Sequence, residues 1–312
     1  MAQEKTMAGS DRAEARALPG TGVGPLNRGL GVARGVGRFV RRKPLGAAGA
    51  AITILLILIA ALAPAIAPYG AKEVQGSQYV HLVPQMDFPF GTDHVGRDVL
   101  SRIIHGARIS LYVGFGSVLI GITAGFALAL VTTYAGGAVD LVFQRLVDAL
   151  MALPGLIIAL AIMAVLGSSL NNVVVAIVIG MLAPVIRTVR SQVLSLKELD
   201  YVTAGRAVGC SPLRIVFRHI APNALATCLV IATYYLGFAI IIEASLSFLG
   251  VGVPPDVPSW GGMLKRAAEE HVKTAPWVAM FPGLAIFVVV MGFNLLGDAL
   301  RDVLDPRLRG TR

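Results

Sequence analysis

Six stretches of this chain are apolar over lengths that match a bilayer, and that pattern limits the fold before any motif is considered. Leu45–Ala67, Leu111–Thr133, Leu141–Leu166, Val173–Val189, Ala224–Phe248 and Trp277–Leu300 each approach or exceed the roughly 20 residues a helix needs to cross hydrocarbon. Any one alone is compatible with a buried core helix. A set of six separated by charged loops, in a chain with 55% hydrophobic and 14% charged residues and a mean hydropathy of +0.73, predicts an all-α integral membrane protein. Span three begins amphipathic, with Arg145 and Asp148 three residues apart on one helix face. Residues 167–172 then turn the chain into span four. Glycine and proline within the spans, such as Gly121, Gly125, Pro154, Gly180 and Pro184, are poor helix formers in water but ordinary in membrane helices, where small residues permit close packing.

Basic residues orient the spans. With the N-terminus inside, 20 of the 27 Lys and Arg fall on the cytoplasmic side, and the other side holds Lys72, Arg97, Arg102, Arg108, Lys265, Arg266 and Lys273. That asymmetry predicts a multi-pass protein with both termini cytoplasmic. It also accounts for a net charge of +9 and an isoelectric point near 9.9 without nucleic acid, because cytoplasmic loops and anionic head groups absorb the excess. Residues 1–43, rich in Ala, Gly and charge with little periodicity, are expected to be a flexible basic cytoplasmic tail. Leu45–Ala67 lies too deep in the chain, and is too long, for a secretory signal. Cys210 and Cys228 fall at or near the reducing side, where no structural disulfide is expected.

Catalytic and metal chemistry fail on count and spacing. The five histidines form no HxxxH pair, and the chain has no CxxC, no GxSxG context for a nucleophile and no GxxxxGK[ST] phosphate loop. His94 with Asp93 and Asp98 is the nearest approach to a metal cluster, and isolated loop histidines are ordinarily surface residues. No catalytic, cofactor-binding or metal residue is assigned. A nucleotide, if the protein's work uses one, must be bound by another polypeptide.

Between spans four and five lies a polar, arginine-bearing segment, LDYVTAGRAVGCSPLRIVFRHIAPN, from Leu199 to Asn223. Asp200 to Val208 reads as a short helix that Gly209 ends in the left-handed conformation. Ser211 is placed to cap a second helix with Pro212 at its first position; Pro222 closes the unit and Asn223 caps the next apolar helix. Two short helices joined at Gly209 form an elbow suited to passing force from a soluble partner.

This segment resembles the coupling-loop signature of ABC importer membrane subunits. The family's Glu-Ala-Ala is here Thr203, Ala204 and Gly205, its glycine is Gly209, and its closing region falls on Ile220, Ala221 and Pro222. The acidic residue is absent, whereas the helix-glycine-helix pattern is kept. FGTDHVGRDVLSRIIHGARISL (Phe90–Leu111), EASLSFLGVGVPPDVPSWGGML (Glu243–Leu264) and FNLLGDALRDVLDPR (Phe293–Arg307) look like the second membrane component of dipeptide, oligopeptide and nickel permeases, a resemblance running from about Lys43 to Arg309.

The resemblance implies a type I ABC importer transmembrane subunit with six transmembrane helices in a bacterial or archaeal cell membrane. Residues 44–309 would be the permease domain and 310–312 a cytoplasmic end, with extracytoplasmic segments over 67–110 and 249–276. An ATPase-coupling loop over 198–222 would use Thr203, Ala204, Gly205, Arg206, Gly209, Ser211, Pro212, Arg214, Ile220 and Pro222. Implied partners are a homologous but distinct permease subunit, two ATPase subunits carrying ATP and Mg, an extracytoplasmic solute-binding protein and a short peptide as substrate. Nickel or a metal chelate is the alternative cargo. A secondary transporter would need no ATPases, but would leave the elbow without a purpose.

Charged and aromatic residues near the spans complete the candidates. Glu243, in an apolar span with Ser245 and Ser247, is expected at the subunit interface or near the pathway. Arg145 and Asp148 are expected to pair locally at the cytoplasmic end. Trp260, after Pro254, Pro255 and Pro258, reads as an interfacial anchor or a substrate contact, with Ser259 capping a helix through Glu270. Asp98 would begin a separate amphipathic helix lying against the membrane or partner, with Val99, Leu100, Ile103 and Ile104 as its apolar stripe and Arg97, Arg102 and Arg108 on its polar side.

Overall fold

A computed structural model describes residues 40–41, 43–270 and 274–304. The tail expected over residues 1–43, save for positions 40, 41 and 43, and the end at 310–312 lie outside the described residues. From Pro44 onward the fold is helical: α1 Pro44–Ile66, α2 Val99–Ala135, α3 Gly137–Met151, α4 Gly155–Leu166, α5 Leu170–Lys197, α6 Asp200–Ala207, α7 Pro212–Ile215, α8 Ala221–Phe248, α9 Trp260–Glu270 and α10 Trp277–Leu304. Among the described residues five helices are long and apolar enough to cross a membrane, and the bent pair α3 and α4 makes a sixth crossing if counted as one span.

The centre is the parallel pair α2 and α5, whose contacts advance together from Tyr112 with Asn171 to Thr133 with Lys197, flanked by α8, with α1 and α10 outside. Small residues set the spacing. A methyl group built on Gly121 would lie 2.8 Å from the sulfur of Met181, and one on Gly125 2.6 Å from a Val185 methyl. The α1–α10 contact is tighter still, with Gly49 facing the backbone of Gly292 and Leu296 at 2.5–2.7 Å from such a methyl.

Two expected boundaries are corrected. Leu141–Leu166 is not one helix: the chain bends by 85° between α3 and α4, where Pro154 has no N–H to continue the first and sets the turn into the second. The helix begun by Asp98 is not separate from span two. It runs unbroken to Ala135, 37 residues or roughly 55 Å, so its first turns project beyond a hydrocarbon core of about 30 Å. Asp98 caps it, its carboxylate accepting from the backbone N–H of Ser101 at 2.8 Å and from the Ser101 hydroxyl at 2.6 Å.

The segment between α1 and α2 folds over that projecting end. Tyr69 and Phe88 stack with centroids 5.6 Å apart, Phe90 stacks on Phe281 at 4.1 Å, and buried Thr92 bridges the turns by accepting from the N–H of Leu82 and donating to the carbonyl of Tyr79. Asp93 organises the charges: it accepts from the N–H groups of Val95 and Arg97 at 3.0 Å and from the Arg97 guanidinium at 2.7 Å. Arg102 was expected on a polar face. It is instead 2% exposed, 3.8 Å from Asp93 and donating to the carbonyl of Ala71 at 3.2 Å.

Trp260 is likewise neither an interfacial anchor nor a surface contact. At 2% exposure its indole lies against Gly106, whose missing side chain makes the space, and its N–H donates to the carbonyl of Ile103 at 3.0 Å. It pins α9, capped by Ser259 through the N–H of Gly262 at 3.1 Å, onto α2.

Burial pushes the Asp93 carboxyl up, but the N–H and charge of Arg97, the N–H of Val95 and the charge of Arg102 together hold it below its ordinary value. A folded pKa below the unfolded value of about 3.9 gives stability that is full above about pH 4 and lost as pH falls through the folded value. Asp93→Ala is expected to strand Arg102 without an anionic partner, costing about 3 kcal/mol. Thermal unfolding of the detergent-solubilised protein checks this, with the drop expected at pH 7 and shrinking in strong acid.

Candidate functional site

The elbow between α5 and α8 is assembled from local chemistry. Asp200 begins α6 near the positive end of its dipole, and α6 ends in a paired C-terminal cap, with the N–H of Gly209 on the carbonyl of Arg206 and that of Cys210 on the carbonyl of Gly205, both at 3.0 Å. Such a cap requires a left-handed residue, and Gly209 has φ +77°. The Ser211 hydroxyl accepts from the N–H of Arg214 at 3.4 Å, and Pro212 occupies the first turn of α7.

The far side of the elbow departs from expectation. Pro222 does not close the unit and Asn223 does not cap a new helix. The chain runs on from α7 through a widened turn, Val216–Ile220, into α8 without a break. Pro222 supplies the reason: lacking an N–H and crowding the carbonyl four residues back, it favours an expanded turn just before it. The carboxamide of Asn223 donates back to the carbonyl of His219 at 2.6 Å, and the Tyr201 hydroxyl approaches both groups at 3.4 Å, tying α6 to the root of α8. Tyr201, His219 and Asn223 form a lock that sequence reasoning missed. An aromatic at the start of one helix, with an Asn just after the proline that disturbs the next, would have been its signal.

The elbow is rooted and presented asymmetrically. Val202, Ile215 and Ile220 are at most 1% exposed and anchor it in the bundle, while Val208, Leu213 and Phe217 are 65–80% exposed. Thr203, Ala204, Arg206, Gly209, Ser211, Pro212, Arg214 and Pro222 lie on the exposed side. Gly205 and Ile220 do not: Gly205 packs beneath, where a methyl group on it would meet Ile215 at 4.0 Å, and Ile220 is part of the root. The elbow end of α5 is fixed by Lys197, whose ammonium donates to the carbonyl of Thr133 at 3.0 Å and lies 5.5 Å from the centre of the Tyr134 ring.

The other candidates separate. Glu243 was expected at an interface or in the pathway. It is fully enclosed by the chain's own helices, with one carboxylate oxygen accepting from the Ser247 hydroxyl at 2.9 Å and the other without a hydrogen-bond partner. Arg145 and Asp148 do approach, at 3.9 Å, and Arg187 of α5 closes on the same carboxylate. Among the described residues no group of three or more metal-ligating side chains converges.

The fold is thus a membrane bundle that roots a two-helix elbow at one end, with apolar and basic residues turned outward. Residues 117–310 match the family described as binding-protein-dependent transport system inner membrane component, and residues 34–84 the N-terminal TM domain of oligopeptide transport permease C. The chain belongs to this family of ABC importer permeases. It is 43% identical over 272 residues to the glutathione transport system permease protein GsiD of Pectobacterium atrosepticum, covering 87% of this chain and 90% of that one. Identity to the GsiD proteins of Escherichia coli and Shigella sonnei is 42% over 273 residues, covering 88% of this chain and 90% of each. It is therefore a transport component of a multi-subunit importer and not an enzyme.

Gly209→Val is expected to break the C-terminal cap of α6. Open space surrounds the position, so the cost is backbone strain and not collision. Gly209→Asn, which tolerates positive φ, should retain most coupling while Val loses it, read as binding-protein-stimulated ATP hydrolysis in the reconstituted importer.

Proposed function

We propose that this permease carries short peptides inward, driven by ATP hydrolysis on two partner ATPase subunits that hold ATP and Mg. The observation that carries the reading is the elbow. Its exposed Val208, Leu213 and Phe217 offer a compact apolar knob, Arg206 and Arg214 flank it, and its buried root is continuous with two membrane helices. A partner pressing there moves α5 and α8 together. Thr203 stands where an acidic residue would pair with the ATPase, so docking rests on apolar contact and the arginines.

The remaining assembly follows from the same reading. Residues 44–309 are the permease domain and pair with a homologous but distinct permease, with the pathway between the two. An extracytoplasmic solute-binding protein delivers cargo to the end built from 67–110 and 249–276, and 198–222 meets the ATPases. Both termini are cytoplasmic in a bacterial or archaeal cell membrane, as the distribution of Lys and Arg favours. The similarity to permeases named for glutathione and for oligopeptides favours a peptide of two to a few residues over nickel or a metal chelate.

Uptake by the reconstituted assembly, offered a tripeptide, a dipeptide and nickel in competition, tests cargo: peptide uptake that needs both the binding protein and ATP is expected, and nickel uptake without peptide uptake overturns it. Single cysteines at positions 20, 85, 137, 169, 210, 262 and 308 test orientation. External labelling at both 20 and 308 would reject it.

A further inference from the structure

The charges at the elbow end of α5 are handled in two different ways. Arg190 is closed off: its guanidinium makes three hydrogen bonds of 2.7–3.2 Å to Asp140 of α3, one cation to one anion. Arg187, about one turn away, is not. It shares Asp148 with Arg145, so two guanidinium groups meet one carboxylate, and the side chains of Arg145 and Arg187 are 77% and 52% exposed. The cluster keeps a net positive charge and most of its N–H donors unused.

Its surroundings argue against a lipid-facing role. Arg187, Thr188, Ser191 and Ser195 fall within an arc of about 100° on α5, all are exposed, and the same face reaches Glu198 at the start of the elbow. This hydrophilic track runs roughly 16 Å along a helix whose buried side holds Val189, Val193 and Leu196. On α3 the exposed apolar residues Val139, Val142, Leu146 and Leu150 occupy a separate arc from Arg145 and Asp148, while exposed Leu141 falls between those two. Most of the exposed apolar surface of α3 thus lies to one side of the charged cluster. Farther from the elbow the track ends: α4 crosses α5 with Gly155 against Gly180, each carbonyl within 3.1–3.3 Å of a methyl built on the other.

We infer that Arg145 and Arg187, held by Asp148, form an anion-receiving site at the elbow-side mouth of the translocation pathway, which takes the carboxylate of a transported peptide as it leaves. The inference rests on the peptide-import reading and adds to it a preference for anionic cargo. One exposed carboxylate–guanidinium contact changes affinity modestly, about tenfold at most.

The test uses the full importer, reconstituted with its partner permease, ATPases and binding protein in vesicles made with and without anionic lipid. Uptake of a tripeptide with a free terminal carboxylate is compared with that of its terminal amide. Arg187→Gln is expected to raise KM for the free acid about tenfold while leaving the amide unmoved, with Arg187→Lys recovering most of the loss. In a background lacking Cys210 and Cys228, Ser191→Cys should react with a water-soluble thiol reagent and be protected by the free-acid peptide. An unmoved KM for Arg187→Gln, or an equal rise for both peptides, overturns the inference, as does an effect seen only with anionic lipid, which would make the anion a lipid phosphate. Should Arg187→Gln fail to assemble, protection of Ser191→Cys decides: protection supports the site and its absence overturns it. If the parent assembly carries neither peptide, the peptide reading itself fails and takes the inference with it, whereas parent uptake with an unmoved KM removes the inference alone.

Discussion

Helices in lipid gain nothing from the hydrophobic effect when they touch, because hydrocarbon tails are as apolar as leucine; what holds them is the closeness of their surfaces. In this chain that closeness is set where α2 lacks side chains, at Gly121 and Gly125, and α5 fills the gaps with Met181 and Val185. The position of α5 decides much of the rest. Its elbow end is rotationally fixed by Arg190 on Asp140 and Lys197 on the carbonyl of Thr133, so the direction in which the chain enters α6 is set by the same contact that builds the core. A larger residue at Gly125 would therefore displace the elbow without touching it.

Three groups of charge within the bundle contrast with one another. Asp93 with Arg97 and Arg102 is a buried knot that joins the segment before α2 to the first turns of that helix, and its worth is structural. Glu243 shares one hydrogen bond with Ser247 inside α8, a group locked within one helix and walled in by its neighbours. The cluster of Arg145, Asp148 and Arg187 differs from both in combining proximity, exposure and an uncancelled charge. The residue whose sequence context looked most like a pathway group is thus the most enclosed, and the pair that looked merely self-satisfied proves to be open to solvent on a third side.

What was legible in the sequence is what depends on short stretches of it. Six apolar runs announced the crossings, and Gly209, Ser211 and Pro212 announced the elbow because a cap is made with groups only a few residues away. What stayed hidden depends on distant partners or on the choice between two local outcomes. Pro154 and Pro222 are both prolines in apolar surroundings; the first interrupts a helix by 85° and the second is absorbed by an expanded turn that Asn223 and Tyr201 stabilise. Trp260 reads as a surface aromatic until Gly106, 154 positions earlier, is seen to leave the hollow that receives it. Arg102 reads as a polar-face residue until Asp93 and the carbonyl of Ala71 are brought to it by the fold.

The unbroken path from Pro212 through the widened turn to Phe248 has one further consequence. It is a single strut of 37 residues, roughly 55 Å, with the elbow at one end and the region buttressed by α9 at the other. A strut has no preferred direction of signalling. Under the proposed docking of an ATPase at the elbow, any coupling the strut carries is reciprocal: the factor by which a ligand at the far end alters the grip on the elbow equals the factor by which that grip alters affinity for the ligand.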